Sequence, residues 1–227
     1  MTIGIIVAME AEKNLVMNIL DQKTQKQCGN ESFIEGNIGR YHLIVLQSGI
    51  GKVCAAIGTL MMIQNYHPDY IINTGVAGSL DKKVHVMDVV ISEKTVYHDV
   101  DCSSGNEYGQ IQGLPLYFLA NEKLLRAAKQ INLAQHLHIG LTCSGDQFIS
   151  NRDSLKRIKT LFPEGLAVDM ESNAIAQVCY LYGVPFLSLR IISDTPGIND
   201  HVDQYIDFWK EAPQTSLSII KQLLINL

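Results

Sequence analysis

Ala167-Val168-Asp169-Met170-Glu171-Ser172-Asn173-Ala174-Ile175-Ala176-Gln177-Val178-Cys179 sets two carboxylates between a short apolar run and an amphipathic one. Gly165 to Val168 reads as the end of a buried strand. From Glu171 onward Ala174, Ile175, Val178, Leu181 and Tyr182 recur at helical spacing. A strand handing over to a helix is the unit of an α/β sheet, where ligands collect outside the carboxyl ends of strands. Glu171 is therefore expected at a crevice. A simpler reading also fits, with Asp169 and Glu171 as first-turn acids that complement the helix dipole.

The same pattern recurs on both sides. Ile3-Gly4-Ile5-Ile6-Val7 is an uninterrupted β-branched run, hence a central strand, and it leads into a helix from Glu10 to Leu20. Glu10 and Glu12 thus lie just past a strand. Phe33 to Ser48 reads as a hairpin turning at Asn37 to Gly39, with Tyr41 to Gln47 as its second strand. Ser48-Gly49-Ile50-Gly51-Lys52 lacks the GxxxxGK[ST] spacing of a triphosphate loop, and its glycines suit close approach ahead of a helix from Val53 to Gln64. Tyr70 to Thr74 is another buried strand, expected to end in a tight glycine turn at Gly75-Val76-Ala77-Gly78-Ser79, which is not the dinucleotide fingerprint. Val89 to Ser92, Ile139 to Cys143 and Pro185 to Ile192 are further strands. Tyr97 to Pro115 is a long polar loop, and Asn121 to Asn132 and Arg152 to Phe162 are helices. The stretch from Tyr205 to Leu227 reads as helical, with Pro213 marking a break or a helix start. Alternating strands and helices imply an α/β fold with a parallel or mixed sheet.

A chain of 227 residues can bury roughly 70–75% of its unfolded surface, enough for one large domain without staples. Its five scattered cysteines form no CxxC pair, which points to reduced thiols in a cytosol. The net charge of -5 and the lack of a basic run argue against a nucleic-acid partner. No apolar stretch reaches the roughly 20 residues that span a bilayer, and Met1 to Gly4 lacks a signal peptide's basic flank, so a cytoplasmic protein with no membrane partner is expected.

Glu12, Glu171 and Asp194 each follow a different predicted strand, so the three acids can meet in one crevice. Asp194, before Thr195-Pro196-Gly197, also suits a turn cap. Paired carboxyls serve glycosidic cleavage, one activating water and the other protonating the leaving group. His136-x-His138 has no third placed ligand, and His98-Asp99-x-Asp101 reads first as a polar loop organised by its acids, so neither metal nor cofactor is expected.

Eight segments in register carry a family resemblance: Val7 to Glu12, Ser48 to Val53, Asn73 to Gly78, Tyr97 to Asp101, Glu107 to Gln110, Ser144 to Ile149, Val168 to Glu171 and Arg190 to Asp194. In order and spacing they resemble the motifs of bacterial 5'-methylthioadenosine/S-adenosylhomocysteine nucleosidases, of the purine nucleoside phosphorylase and nucleosidase superfamily. The resemblance implies a single-domain, three-layer α/β fold over residues 1–227. In it a central twisted mixed sheet is flanked by helices in the phosphorylase/hydrolase manner. It also implies a homodimer and metal-free cleavage of the bond between adenine and ribose. By position, Glu12 would activate water, Asp194 would protonate adenine N7 and Glu171 would bind the ribose hydroxyls. Met170 would pack beneath the ribose, Phe148 would stack on adenine, and the backbone of Ile149 would read its edge. Met9 and Ile50 would line the pocket, Arg190 would support it from behind, and Tyr205 matches an aromatic lid position.

The chain departs from the family at four places. Asp169 stands where the family has Glu, beside the ribose, and Val76 where it often has a small hydroxyl residue, removing a hydrogen bond near Asp194. The run Cys102-Ser103-Ser104-Gly105-Asn106 is one residue short and lacks the aromatics that reach a neighbouring subunit's 5' pocket, and the loop before Tyr205 is one residue longer. Alternative readings are a purine nucleoside phosphorylase, a futalosine-type hydrolase and a non-enzymatic nucleoside-binding protein. Against phosphorolysis, Glu10 and Glu12 would repel a phosphate dianion.

Overall fold

The computed structural model describes residues 1–196 and 201–227, and the side chains of these except 201–207 and 209–214. Among the described residues ten strands form one mixed sheet: β1 (Thr2–Val7), β2 (Asp21–Cys28), β3 (Glu31–Ile38), β4 (Tyr41–Gln47), β5 (Tyr70–Ser79), β6 (Val89–Tyr97), β7 (Phe118–Leu119), β8 (Leu137–Ser144), β9 (Gly165–Asp169) and β10 (Phe186–Asp194). The helices are α1 (Glu10–Met17), α2 (Lys52–Tyr66), α3 (Glu122–Ala128), α4 (Arg152–Leu161), α5 (Ser172–Tyr182) and α6 (His201–Asn226).

β1 lies between β4 and β5, parallel to both, and β10 runs parallel on the far side of β5. These four strands therefore end together. β9 runs antiparallel to β5, with Gly78 opposite Val168, and so delivers the Asp169 to Glu171 corner to the same end. The pleat sends Ile3, Ile5 and Val7 into a core shared with α1, α3 and α6, and Ile6 into a second core shared with α2 and α5. Helices on both faces explain why the central strands read as unbroken apolar runs. Gly4 permits the second packing, since a Cβ there would lie 2.1 Å from Met62 Sδ of α2.

Several boundaries differ from the expectations. Gly75 to Ser79 continue β5 instead of turning. β10 pairs along them as far as Gly78, and β9 pairs with Gly78 and Ser79. α1 ends at Met17, and Ile19 and Leu20 follow in tight turns that still bury Leu20. α6 runs through Pro213 without a break; its last turns are fastened to the core by Ile219, Ile220, Leu223 and Leu224. β2, Asp-Gln-Lys-Thr-Gln-Lys-Gln-Cys, has no apolar face to reveal it. Among the described residues it pairs only with β3, as a polar, lysine-bearing edge strand that resists further pairing.

Candidate active site

Glu12 projects from the first turn of α1 back to the end of β1. Its Oε2 accepts from the backbone N–H groups of Ala8 and Met9, each at 2.9 Å, and its Oε1 from Val76 N at 3.1 Å. A carboxylate offers about four acceptor positions, so three backbone donors leave one for a water. Burial pushes its pKa up, against the opposing pull of Arg190 and the backbone donors. Gly75 is glycine for a local reason, because a Cβ there would lie 2.5 Å from both Glu12 Oε1 and Arg190 Nη1.

Glu171 stands at the N-cap position of α5 without a side-chain bond back to the helix, and its Oε1 accepts from Gly51 N at 2.9 Å. Its pKa is pushed up to about 7, first by burial, while Arg190 opposes the shift. Arg190 is 1% exposed and comes from the middle of β10. Its Nε lies 2.7 Å from Asp169 Oδ2, Nη2 donates to Asn73 Oδ1 and to Ser172 Oγ, and Glu171 Oε2 is 3.9 Å away. One buried guanidinium thus serves Asp169 directly and Glu12 and Glu171 at longer range. Such a charge is tolerable inside a protein only because partners surround it.

Asp194 ends β10 and is 2% exposed, and Ser193 Oγ donates to its Oδ1 at 2.7 Å. Asp194 thus has a side-chain donor within β10, although Val76 offers none. Ser193 also reaches Ala77 O at 3.3 Å.

Glu12, Glu171 and Asp194 line one pocket with Met9, Ile50, Val76, Phe148, Ile149, Asp169 and Met170. Of the remaining expected site residues, Arg190 stands behind this lining, and the side chain of Tyr205 lies outside the described residues. Asp169 borders the pocket but turns its carboxylate inward, taking hydrogen bonds from Ser144 Oγ and Ser172 Oγ besides the Arg190 pair. Ala8, Ala77, Gly78, Gln147, Val168 and Ser193 complete the wall and were not anticipated. Neither was the support from Asn73, Ser144, Ser172 and Ser188, although a polar side chain inside an apolar strand is a readable signal of a buried network. No Lys or Arg lines this pocket among the described residues. His138 is occupied elsewhere, with Nε2 2.9 Å from Asp88 Oδ2.

Acids held at strand ends beneath an apolar and aromatic wall define an enzyme pocket for a flat, partly polar small molecule. The chain belongs to the phosphorylase superfamily, whose model matches residues 2–225. It is 44% identical to the 5'-methylthioadenosine/S-adenosylhomocysteine nucleosidase of Haemophilus influenzae (strain PittEE), over the whole of both chains. It is 43% identical to that of Staphylococcus aureus (strain bovine RF122 / ET3-1), over 99% of this chain and 100% of that protein. The S-adenosylhomocysteine nucleosidase of Streptococcus pyogenes, in complex with 5-methylthiotubericidin, superposes with a TM-score of 0.95 at 36% identity, over 100% of this chain and 97% of that one. The Neisseria meningitidis nucleosidase bound to methylthio-immucillin-A gives 0.95 at 34%, covering 100% and 99%.

Proposed function

We propose that the protein hydrolyses the N-glycosidic bond of 5'-methylthioadenosine and S-adenosylhomocysteine, releasing adenine and the 5-thioribose product. The observation that carries this reading is the convergence of Glu12, Glu171 and Asp194, from three separate strand ends, on one pocket with an aromatic wall. Glu12 takes a proton from the water that attacks C1'. Asp194 gives a proton to N7 as the C1'–N9 bonding pair withdraws into the purine. Glu171 accepts from the ribose hydroxyls, and its charge favours the oxocarbenium-like transition state. Phe148 stacks on the base, the backbone of Ile149 reads its edge, Met170 lies under the sugar, and Met9, Ile50 and Val76 close the sides. The chemistry asks for no metal or cofactor. With no cation lining the pocket among the described residues, water suits it better than a phosphate dianion.

The active form is a homodimer in this reading. Ile50, Val53 and Ile57 share an exposed face of α2 and the loop before it, while Tyr180, Leu181 and Tyr182 are exposed at the end of α5. Apolar surface of this kind marks an interface. Ser103, Ser104 and Gly105 are exposed and do not line their own chain's pocket, as suits a loop that reaches a partner's pocket. No helix among the described residues is long and apolar enough to cross a membrane. In this reading the protein is a cytoplasmic enzyme of methionine salvage, and the net charge of -5 argues against a nucleic-acid partner.

Adenine release from methylthioadenosine, followed with and without phosphate, tests the reading. Release indifferent to phosphate is expected. A rate that requires phosphate would assign a phosphorylase, and binding without release would assign a nucleoside-binding protein.

A further inference from the structure

Two sequence features have no part in the chemistry above: the Lys at the end of Ser48-Gly49-Ile50-Gly51-Lys52, and the acids of His98-Asp99-x-Asp101. The fold brings Lys52 to Asp99. Lys52 Nζ lies 2.7 Å from Asp99 Oδ2, 3.9 Å from Asp146 Oδ2 and 5.2 Å from the centre of the Tyr97 ring. The same carboxylates also bind backbone. Asp99 Oδ2 accepts from Asp146 N at 2.9 Å, and Asp146 Oδ1 accepts from Lys52 N at 2.7 Å, on the first turn of α2. The approach is close enough that a Cβ at Gly51, whose φ is 92°, would lie 2.9 Å from Asp146 Oδ1.

This cluster joins the two loops that face each other across the pocket. One carries Ile50 into the lining and Gly51 N onto Glu171, while the other carries Gln147, Phe148 and Ile149. Isolated surface ion pairs contribute little. This one differs, because side-chain and backbone bonds from both loops share its two carboxylates, and the Asp99 side chain is only 12% exposed.

We propose that Lys52 is a positioning residue whose ammonium, held between Asp99 and Asp146, clamps the Ile50 loop to the Phe148 loop and sets the spacing of these two walls of the pocket. The proposal rests on the nucleosidase reading for its substrate. Without the ammonium, Asp99 and Asp146 face each other uncompensated and the walls part. The cost falls on binding, since Glu12, Asp194 and Glu171 stand on α1, β10 and the start of α5, outside both loops.

The test measures kcat and KM for methylthioadenosine and the equilibrium Kd for adenine in wild type, Lys52→Met, Lys52→Arg, Asp99→Asn and the Lys52→Met/Asp99→Asn double variant, with melting temperatures. Lys52→Met is expected to raise KM and the adenine Kd about 10-fold or more with kcat within about 3-fold, and Lys52→Arg to recover most of the loss. Asp99→Asn should cost less in the Lys52→Met background than alone, because the carboxylate has lost its partner. An unchanged KM, a loss confined to kcat, or strictly additive effects would overturn the clamp. Lys52→Arg and Asp99→Asn decide the question if Lys52→Met does not fold. Wild type that binds adenine yet releases none from methylthioadenosine would sink the hydrolase reading instead, and the adenine Kd would still judge the clamp.

Discussion

Glu12, Glu171 and Asp194, on the pocket floor, are at most 5% exposed, whereas Ile50 and Phe148 on its rim are 56% and 61% exposed. The floor residues stand at or beside strand ends, and each is tied by hydrogen bonds to backbone or to a neighbouring side chain. The rim residues sit on loops between elements and present large apolar surfaces to solvent. Proton transfer depends on placement to a fraction of an ångström and on a dry setting that shifts acidities, which strand ends supply. Recognition of a base needs a broad face that a ligand can cover, and an exposed aromatic supplies that.

If floor and rim divide chemistry from binding in this way, damage to the floor should cost the most. Asp194→Asn keeps shape and loses the proton, and kcat should fall about 10²- to 10⁴-fold with KM little changed. Glu12→Gln should behave alike in a steady-state assay. Near-normal turnover in either variant would remove that residue from the chemistry.

Glu171→Gln should cost roughly 1.5–3 kcal/mol across affinity and turnover, because a charged acceptor of the ribose hydroxyls is lost. It also sharpens the contrast through pH. Burial lifts the Glu171 pKa to about 7. In wild type, kcat/KM should therefore decline as the pH falls through about 7, and this limb should shift or vanish in the variant. The stability effect has the opposite sense. A carboxyl whose folded pKa lies above its unfolded value holds its proton in the fold, so stability drops as pH rises from the unfolded to the folded pKa. Glu171→Gln should accordingly melt higher than wild type near pH 8 and no higher near pH 4. Equal gains at both pH values would deny the shift.

Phe148→Ala, at the rim, should raise KM by about 5- to 150-fold, the range expected for a lost base stack of roughly 1–3 kcal/mol, and leave kcat within a few-fold. A larger loss in kcat than in affinity would erase the division between rim and floor. The smallest effect is expected from Val76→Ser, within about 3-fold in kcat/KM, since Ser193 already donates to Asp194. A gain of ten-fold or more would show that the hydroxyl is missed.

Much of this was open to reading along the chain. Alternation of apolar runs with helical periodicity is a local property, so β1, β4, β8, β10, α2, α4 and α5 could be placed to within a few residues, and with them the acids that follow strands. The family motifs named most of the pocket lining for the same reason, being contiguous. β2 was illegible because an exposed edge strand buries no face and leaves no pattern. Gly75 to Ser79 read locally as a turn although they continue β5, because glycine is silent about whether a neighbouring strand holds it extended.

The site's electrostatics lay beyond the sequence altogether. Nothing local in Arg190, Asp169 or Asn73 says that they meet; the pairing of β10 with β5 sets Ser188 beside Asn73 and Arg190 beside Gly75. The buried guanidinium draws Asp169 inward at 2.7 Å and stands 3.9 Å from Glu171, so the burial of Glu171 outweighs that more distant charge and lifts its pKa. Lys52 finds Asp99 only because α2 starts where β6 and β8 end. Periodicity and motif spacing act over a few residues and survive in the bare chain, whereas desolvation and charge pairing depend on distances that cross-strand register alone creates.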